Sequence, residues 1–232
     1  MISKMLRRVL DVLSPRSCAM CGQRLPMATE TLCINCNRAL PRTDYVSEPY
    51  ENELARHFWG KFKVEKAAAW FFYHPSTPSA EMIVDFKYRH QPLLAQELGY
   101  IAATEFNDYG FFEGIDMIVP VPLTKRRRRE RGYNQTLEIA RGVSRMTGIE
   151  IADNVLQRTK FTVSQTHKNI HEKAQNVKGA FSLINPKKVA RRHVLLIDDV
   201  VTSGATLSEC GIELAKAGNV SISIMTLGYT KS

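Results

Sequence analysis

The 232-residue sequence contains no apolar run near the roughly 20 residues that a membrane-spanning helix needs. Its first 15 residues are apolar only in part, because charged residues such as Lys4, Arg7 and Arg8 interrupt them. This pattern is not typical of a secretory signal peptide. The apolar positions recur at helical spacing, which favours an amphipathic helix packed on its own protein over one lying on a membrane surface. We therefore expect a cytoplasmic protein without a membrane span.

Acidic residues are scarce relative to basic ones, with 23 Asp and Glu against 32 Lys and Arg, for a formal net charge of +9. Such an excess favours anionic partners: phosphorylated metabolites, nucleic acid or an acidic membrane surface. The composition is 44% hydrophobic and 24% charged, which indicates a folded protein with a sizeable core. The length allows one full-sized domain with a small appendage, or two modest domains.

Only five cysteines are present, and four of them form two close pairs, Cys18 with Cys21 and Cys33 with Cys36. Two residues between cysteines let both thiolates of a pair reach one ion, and two pairs complete a tetrahedral site. Two disulfides are the alternative, which the reducing cytosol disfavours. We predict a structural zinc site, in which four sulfur ligands leave no open position for catalysis. The fifth cysteine, Cys210, is expected to be a buried core residue.

A polar stretch, 41–52, separates the cysteine pairs from the remaining sequence. We interpret it as a linker and place a domain boundary near residue 48. The chain is then divided into an N-terminal helix with a zinc-binding module, 1–48, and a larger domain, 49–232. The module is too short to bury a core of its own, which explains why it would need a metal.

The larger domain alternates predicted strands and helices. Strands are expected at 67–73, 115–123, 194–197 and 220–227, and helices at 79–88, 93–106, 135–146 and 204–217. The unbroken apolar run from Val194 to Ile197 is typical of a strand covered on both faces of a parallel sheet. The order strand, helix, strand predicts an α/β fold with right-handed crossovers.

The most informative segment is Val194 to Thr206, with the sequence VLLIDDVVTSGAT. A buried strand ends in two acidic residues, and a turn of small and hydroxylated residues then opens a helix. Ligands of open α/β sheets bind at the carboxyl ends of strands, and a helix N-terminus presents N–H groups and its positive dipole end to an anion. We therefore predict a phosphate cradle formed by Thr202, Ser203, Gly204, Ala205 and Thr206.

The acidic pair, Asp198 and Asp199, makes this interpretation more specific. Two carboxylates next to a phosphate would repel it unless they have another task, such as accepting hydrogen bonds from two sugar hydroxyls. A ribose 5-phosphate carries both kinds of group. The alternative is an ordinary strand end followed by a capping Ser/Thr turn, and the complete thirteen-residue string favours the ribose phosphate.

This string resembles the phosphoribosyl-pyrophosphate motif of type I phosphoribosyltransferases, and from about residue 15 onward the chain is similar to the ComF family. The family's Pro-Val-Pro-Leu strand end stands at 120–123, followed by a basic stretch and Arg-Gly-Tyr-Asn-Gln at 131–135. Its mobile loop corresponds to 165–181, where Gln165, Asn176 and the final Gly-Ala-Phe match. Three positions depart: Lys168 and Asn169 stand where Leu-Ser is usual, and Lys173 where Arg is usual, which removes a planar bidentate fork.

The resemblance implies an α/β, parallel-sheet, type I phosphoribosyltransferase-like domain preceded by the four-cysteine zinc module. It implies binding of phosphoribosyl pyrophosphate with Mg²⁺ and transfer of the phosphoribosyl group to an unidentified acceptor, with release of pyrophosphate. Asp198 and Asp199 would hold the ribose hydroxyls and residues 202–206 the 5-phosphate. The pyrophosphate would be bound by Val121, Pro122, Lys125, Arg131 and Lys173.

Six cations crowd into seven positions of the basic run, Lys125 to Arg131. They would neutralise the charged ligand or else hold a nucleic-acid backbone, where binding is salt-sensitive. Tyr133 is the only aromatic residue close in sequence, so a stacking platform for bases is poorly supported. Segment 161–178 is expected to be a loop that closes over substrate, and 58–112 to be a hood that selects the acceptor.

Two alternatives to an enzyme remain. The chain is a sensor that binds phosphoribosyl pyrophosphate without turnover, or a non-catalytic protein of competence and DNA uptake. In the second case its partners would be single-stranded DNA or competence proteins.

Overall fold

The computed structural model describes residues 16–26, 31–159 and 178–231. Within them, six strands form a four-stranded and a two-stranded sheet. The strands are β1 (Val64–Phe72), β2 (Met117–Pro120), β3 (Leu156–Arg158), β4 (Phe181–Leu183), β5 (His193–Val201) and β6 (Ser221–Tyr229). The larger sheet has the order β1-β6-β5-β2 and every pairing in it is parallel, while β3 and β4 pair antiparallel. The predicted α/β fold with a parallel sheet is confirmed.

Eight helices lie in the described residues. They are α1 (Ile34–Ala39), α2 (Glu53–Arg56), α3 (Pro78–Tyr88), α4 (Pro92–Asn107), α5 (Lys125–Arg131), α6 (Gln135–Thr147), α7 (Pro186–Val189) and α8 (Ala205–Ala215). The four helices expected from the sequence correspond to α3, α4, α6 and α8, each within two residues at either end. None of the eight is long and apolar enough to cross a membrane. The helix expected within residues 1–15 lies outside the described residues.

One hydrophobic cluster lies on each face of the larger sheet. On one side, Leu195 and Ile197 of β5 pack with Phe86 and Leu98 from α3 and α4. On the other side, Val194 and Leu196 pack with residues of α8, among them the fully buried Cys210, as predicted. The alternation follows from the strand geometry, since successive side chains point to opposite faces. It also sets the direction of the two acidic residues further along β5.

Strand β5 is longer than the apolar run that predicted it. It continues to Val201, because its last residues still pair with β6 through Val201 and Tyr229. Asp198 and Asp199 therefore lie within the strand and not after it. Strand β2 is shorter than predicted, spanning four residues that end at Pro120.

Helix α5 was not expected from the sequence. The side chain of Thr124 caps its first turn by accepting a hydrogen bond from Arg127 N at 3.2 Å, and Gly132 ends it in the left-handed conformation at φ 79°. Arg and Glu favour helices, and Arg126 and Glu130 form an i,i+4 ion pair at 2.7 Å. The basic run therefore forms one short helix.

The stretch interpreted as a linker runs along the free edge of β1. Thr43 N donates to Trp70 O at 3.3 Å, and Phe72 N donates to Pro41 O at 2.8 Å. Leu25 and Leu40 of the N-terminal module belong to the same hydrophobic cluster as helices α3 and α4. The module thus packs directly on the sheet domain and covers an edge strand, while the boundary near residue 48 stays a prediction.

Candidate functional site

A pocket opens at the carboxyl end of β5, lined by Asp198 and by residues 200–207. The structure brings together all five residues predicted to form the phosphate cradle. Helix α8 begins here at Ala205 behind Gly204, and it has no side-chain cap. Its first backbone hydrogen bond runs from Ser208 N to Gly204 O at 2.8 Å, so the N–H groups of the first turn have no helical partner. Such a turn is suited to an anion.

Gly204 is required at the head of the helix for two reasons. Its φ of 68° lies in the left-handed region, and a Cβ there would come within 3.3 Å of His57 Cβ and 3.5 Å of Phe58 Cε1. The turn after α2 therefore packs directly behind the loop. His57 is fixed in place by Tyr229, with 3.2 Å between Nε2 and the phenolic oxygen, and burial together with the Lys61 charge lowers the pKa of His57.

Lys61 adds a cation to the first turn of α8. Its ammonium donates to Ser208 Oγ at 3.0 Å and to His57 O at 2.6 Å. Sequence reasoning missed both His57 and Lys61, which lie more than 140 residues before the loop. No local motif marks them, because only the packing of the α2–β1 turn on α8 brings them to the site.

The two aspartates point to opposite faces of the sheet. Asp198 is half-buried and lines the pocket, on the side of α8 and β3. Asp199 is 5% exposed and faces α3 and α6. There, Lys87 Nζ lies 2.8 Å from Oδ1, and Gln135 Nε2 lies 2.9 Å from Oδ2. Lys87 is another site residue that the sequence did not reveal, and the joint role expected for both carboxylates stays a prediction.

The Asp198 carboxylate has an unusual acidity. Burial and the adjacent Asp199 charge raise its pKa to about 7, while the backbone N–H of Asp199, Lys87 and Arg158 act in the opposite direction. The backbone N–H of Asp199 donates to Asp198 Oδ1 at 2.9 Å. Both the burial and the Asp199 charge therefore favour the protonated form of Asp198, which lines the pocket.

The loop after β2 reaches the same edge of the sheet. Val121 N donates to Ile197 O at 2.9 Å, and Val121 O accepts bonds from Thr136 Oγ1 at 2.6 Å and Asn134 Nδ2 at 3.2 Å. The segment predicted to hold pyrophosphate, with Val121 and the half-buried Pro122, is thus anchored next to β5.

The predicted cations are more scattered. Lys125 is exposed and lines a second cavity, with Arg158 and Thr159 on its far side. Arg131 lies at the far end of α5, where its guanidinium carbon is 5.1 Å from the ring centroid of Tyr88. Lys173 lies outside the described residues, as does the predicted closing loop apart from Lys178.

The paired strands β3 and β4 flank that segment and lie against α8. Thr159 N donates to Ala180 O at 2.9 Å, and Gly179 N donates to Glu209 Oε2 on α8 at 2.9 Å. Arg158 at the end of β3 stacks on Phe181, at 5.1 Å from the ring centroid. The arrangement holds both loop ends on the face of the sheet that Asp198 occupies.

The four N-terminal cysteines form one cluster, with all Sγ atoms within 4.8 Å of one another. Tetrahedral zinc with Zn–S bonds of about 2.3 Å requires S–S distances of about 3.8 Å, and the Cys21 and Cys33 sulfurs are 3.9 Å apart. Burial alone would raise the pKa of Cys18, but backbone N–H groups, chiefly that of Cys33 at 3.3 Å, lower it to about 7. The donor set fits a structural metal ion.

No family model matches the chain. Among solved structures, it is similar to glutamine phosphoribosylpyrophosphate amidotransferase from B. subtilis, with 20% identity and a TM-score of 0.40 over 61% of this chain and 30% of that one. It is also similar to adenine phosphoribosyltransferase from Leishmania tarentolae, with 9% identity and a TM-score of 0.37 over 78% of this chain and 88% of that one.

Curated relatives match over nearly their whole length. The chain is 30% identical to Competence protein F of Haemophilus influenzae over 221 residues, 90% of this chain and 95% of that protein. It is 28% identical to DNA utilization protein YhgH of Escherichia coli over 228 residues, 93% of this chain and 98% of that protein. Competence protein ComFC of Bacillus subtilis is 31% identical over 111 residues, 45% of this chain and 42% of that protein. With this identity to Competence protein F and with its four-cysteine cluster, the chain belongs to the ComF family.

Proposed function

We propose that the chain binds phosphoribosyl pyrophosphate together with Mg²⁺ and transfers its phosphoribosyl group to an acceptor, with release of pyrophosphate. The observation that carries this proposal is the pocket between Asp198 and the uncapped first turn of α8. It combines an anion site and a carboxylate at the carboxyl end of a parallel strand, which is where ligands of such sheets bind.

In this proposal the 5-phosphate lies on the turn 202–206. Backbone N–H groups donate to its oxygens, the hydroxyls of Thr202, Ser203 and Thr206 add further donors, and Gly204 permits close approach. Lys61, held 3.0 Å from Ser208 Oγ, supplies a nearby positive charge. Asp198 accepts hydrogen bonds from the ribose, and the loop at Val121 and Pro122 with Lys125 is assigned to the pyrophosphate, whereas Arg131 lies over Tyr88 at the far end of α5. Lys173 is assigned to the same pyrophosphate.

The reaction would need no protein nucleophile. The bond between the anomeric carbon and the pyrophosphate oxygen breaks, the oxygen keeps the electron pair, and the acceptor's lone pair forms the new bond through an oxocarbenium-like state. The chain contributes by orienting the sugar and by directing cations at the leaving group. Mg²⁺ would supply charge neutralisation at the pyrophosphate.

The metal of the N-terminal module is assigned as zinc, held by Cys18, Cys21, Cys33 and Cys36. Four thiolates at this spacing are the typical ligands of structural zinc. They leave no open position, so the ion would stabilise the module and take no part in group transfer.

Pyrophosphate release tests turnover. The zinc-loaded wild type should release pyrophosphate from phosphoribosyl pyrophosphate and Mg²⁺ in the presence of a panel of nucleobases and amines, and Asp198→Asn should not. Asp153→Asn, a substitution of an exposed aspartate outside the pocket, is the control and should behave as the wild type. Binding without release under every condition would make the chain a sensor, and absence of binding would refute the proposal.

A second function, the handling of single-stranded DNA, is favoured by a surface that combines charge with an aromatic ring. Exposed Arg128 and Arg129 lie on α5, and at its end Arg131 lies over Tyr88, which is 66% exposed. The sequence did not reveal this neighbour, because Tyr88 comes from α3. Cations beside an exposed aromatic ring suit single-stranded nucleic acid, because its bases stack on the ring and its phosphates pair with the cations. The relatives named for competence and DNA utilization support the same direction.

Salt-dependent binding tests this surface. A fluorescent single-stranded oligonucleotide should bind with an affinity that falls as salt rises, and Arg128→Gln with Arg129→Gln should reduce the slope of log K on log salt by about 1.4 for two lost phosphate contacts. Lys187→Gln with Arg192→Gln removes the same charge from exposed positions near the opposite end of the sheet. Equal slopes for the two double variants would contradict a specific role of α5.

A further inference from the structure

A single buried carboxylate ties three elements of the site together. Asp199 Oδ1 lies 2.8 Å from Lys87 Nζ and accepts from Val200 N at 2.6 Å, and Oδ2 accepts from Gln135 Nε2 at 2.9 Å. Lys87 comes from the end of α3 and Gln135 from the start of α6. We refer to Lys87, Asp199 and Gln135 as the buried triad. Both carboxylate oxygens of Asp199 therefore have partners inside the protein: one cation and two N–H donors.

The neighbouring carboxylate has different surroundings. Asp198 faces the other side of β5 and lines the loop pocket with residues 200–207. Its contact with the triad is through the backbone, since Asp199 N donates to Asp198 Oδ1 at 2.9 Å. A ligand that enters the pocket therefore meets Asp198, whereas Asp199 Oδ1 and Oδ2 already have partners inside the protein.

We infer that the two aspartates have separate tasks: Asp198 accepts the sugar hydroxyls, and Asp199 is a positioning residue that fixes the end of β5 against α3 and α6. This inference rests on the proposed function for the part that concerns the sugar. The positioning of β5 by the buried triad does not depend on any ligand, and the two parts can be tested separately.

Two members of the triad, Asp199 and Lys87, also act on the pKa of the carboxylate that the sugar meets. Charged and titratable groups on each surrounding element act electrostatically on Asp198: Asp199 on β5 and Lys87 on α3 from the opposite face, and Arg158 on β3 and Cys210 on α8. The Asp199 charge raises the pKa of Asp198, and the Lys87 charge lowers it. Neutralising Asp199 should therefore lower this pKa, and neutralising Lys87 should raise it. A purely structural role would not produce shifts of opposite sign.

Thermal unfolding without ligand tests the positioning role. Lys87→Met and Asp199→Asn should each lower the Tm of the full chain, because each leaves a buried partner unpaired, and the double variant should lose less than the sum. Arg89→Met is the control: Arg89 pairs with Asp85 at 2.5 Å near the end of the same helix, but its side chain is 60% exposed. A control that loses as much Tm as Lys87→Met, or additive losses in the double variant, would overturn the inference.

Calorimetric titration with ribose 5-phosphate at a series of pH values, from acidic to alkaline, tests the division of tasks, because the pKa of Asp198 is raised. Asp198→Asn should lower affinity at least about tenfold, as expected for lost hydrogen bonds to a charged group, and remove the part of the pH dependence that Asp198 contributes. The affinity midpoint should move to lower pH in Asp199→Asn and to higher pH in Lys87→Met. The ligand's own phosphate titrates equally in all variants, so these differences belong to the protein.

The outcomes separate the two proposals. If Asp199→Asn loses affinity as completely as Asp198→Asn at every pH while its Tm is unchanged, Asp199 is itself a sugar ligand and the inference fails, although the proposed function stands. If the wild type does not bind ribose 5-phosphate, the proposed function fails and the sugar role of Asp198 fails with it. The unfolding measurements still decide the role of the buried triad.

Discussion

Gly204→Ala is the sharpest perturbation of the phosphate loop. An alanine at this position must adopt a φ of 68°, and its Cβ would lie 3.3 Å from His57 Cβ and 3.5 Å from Phe58 Cε1. The left-handed backbone costs about 1–2 kcal/mol for a residue with a Cβ. The contact with His57 is tighter than ordinary van der Waals distance, so His57 or the loop must shift by a few tenths of an ångström.

Gly148→Ala isolates the two contributions. Gly148 ends α6 with a φ of 76°, and a Cβ there would meet no atom within 4 Å. The two variants share the backbone cost and the altered entropy of the unfolded chain. We expect Gly204→Ala to lose about 1 kcal/mol more than Gly148→Ala, which corresponds to a Tm difference of about 2–4 °C at this chain length.

Ligand binding should separate the two variants further. Titration of ribose 5-phosphate should give at least about a tenfold lower affinity for Gly204→Ala, since one charge-assisted hydrogen bond of the phosphate accounts for about 1.5–3 kcal/mol. Gly148→Ala should bind as the wild type. Equal Tm values together with equal affinities for the two variants would refute the packing of His57 behind a phosphate loop.

Three further predictions concern the rest of the molecule. Chelation of the metal, or Cys36→Ser, should lower Tm and release about one zinc per chain by metal analysis, and an unchanged Tm would contradict a structural ion. The pKa of His57 is lowered in the folded chain, so the unfolded chain binds more protons when the pH falls below the ordinary value of 6.5. The free energy of unfolding should therefore decrease as the pH drops below 6.5, and it should decrease less steeply in His57→Asn. Equal pH slopes of the two proteins in thermal unfolding would count against this. Gly142→Ala should destabilise by about 1–3 kcal/mol or more in urea unfolding, because its Cβ would lie 2.0 Å from Gln96 O where α4 and α6 touch, and a normal midpoint would refute that close packing.

The sequence predicted the features of this protein that depend on residues close together in the chain. The apolar runs of β1 and β6 and the periodic segments of α6 and α8 follow rules of period, and those elements lie close to their predicted positions, whereas β5 extends beyond the apolar run that predicted it. The cysteine spacing likewise predicted a cluster that the fold assembles. Helix α5 was missed because a run of cations was interpreted by its charge and not by its helix propensity.

The parts that the sequence did not predict depend on contacts between distant segments. His57 and Lys61 reach the loop, and Lys87 reaches Asp199, only because the α2–β1 turn packs against α8 and α3 packs against β5. The separation of Asp198 from Asp199 follows from strand alternation, but it requires knowing that β5 extends through both residues. The extent of β5 is set by its pairing with β6 up to Tyr229, and no local sequence pattern indicates it.

Calorimetric titration of phosphoribosyl pyrophosphate with Mg²⁺ into the zinc-loaded wild type and the Asp198→Asn variant tests the central claim most directly. The account predicts saturable binding at one site per chain in the wild type and loss of that binding in the variant, with both proteins folded by thermal unfolding. Absence of binding by the folded wild type, or equal binding by both proteins, would contradict a ribose-phosphate site at the carboxyl end of β5.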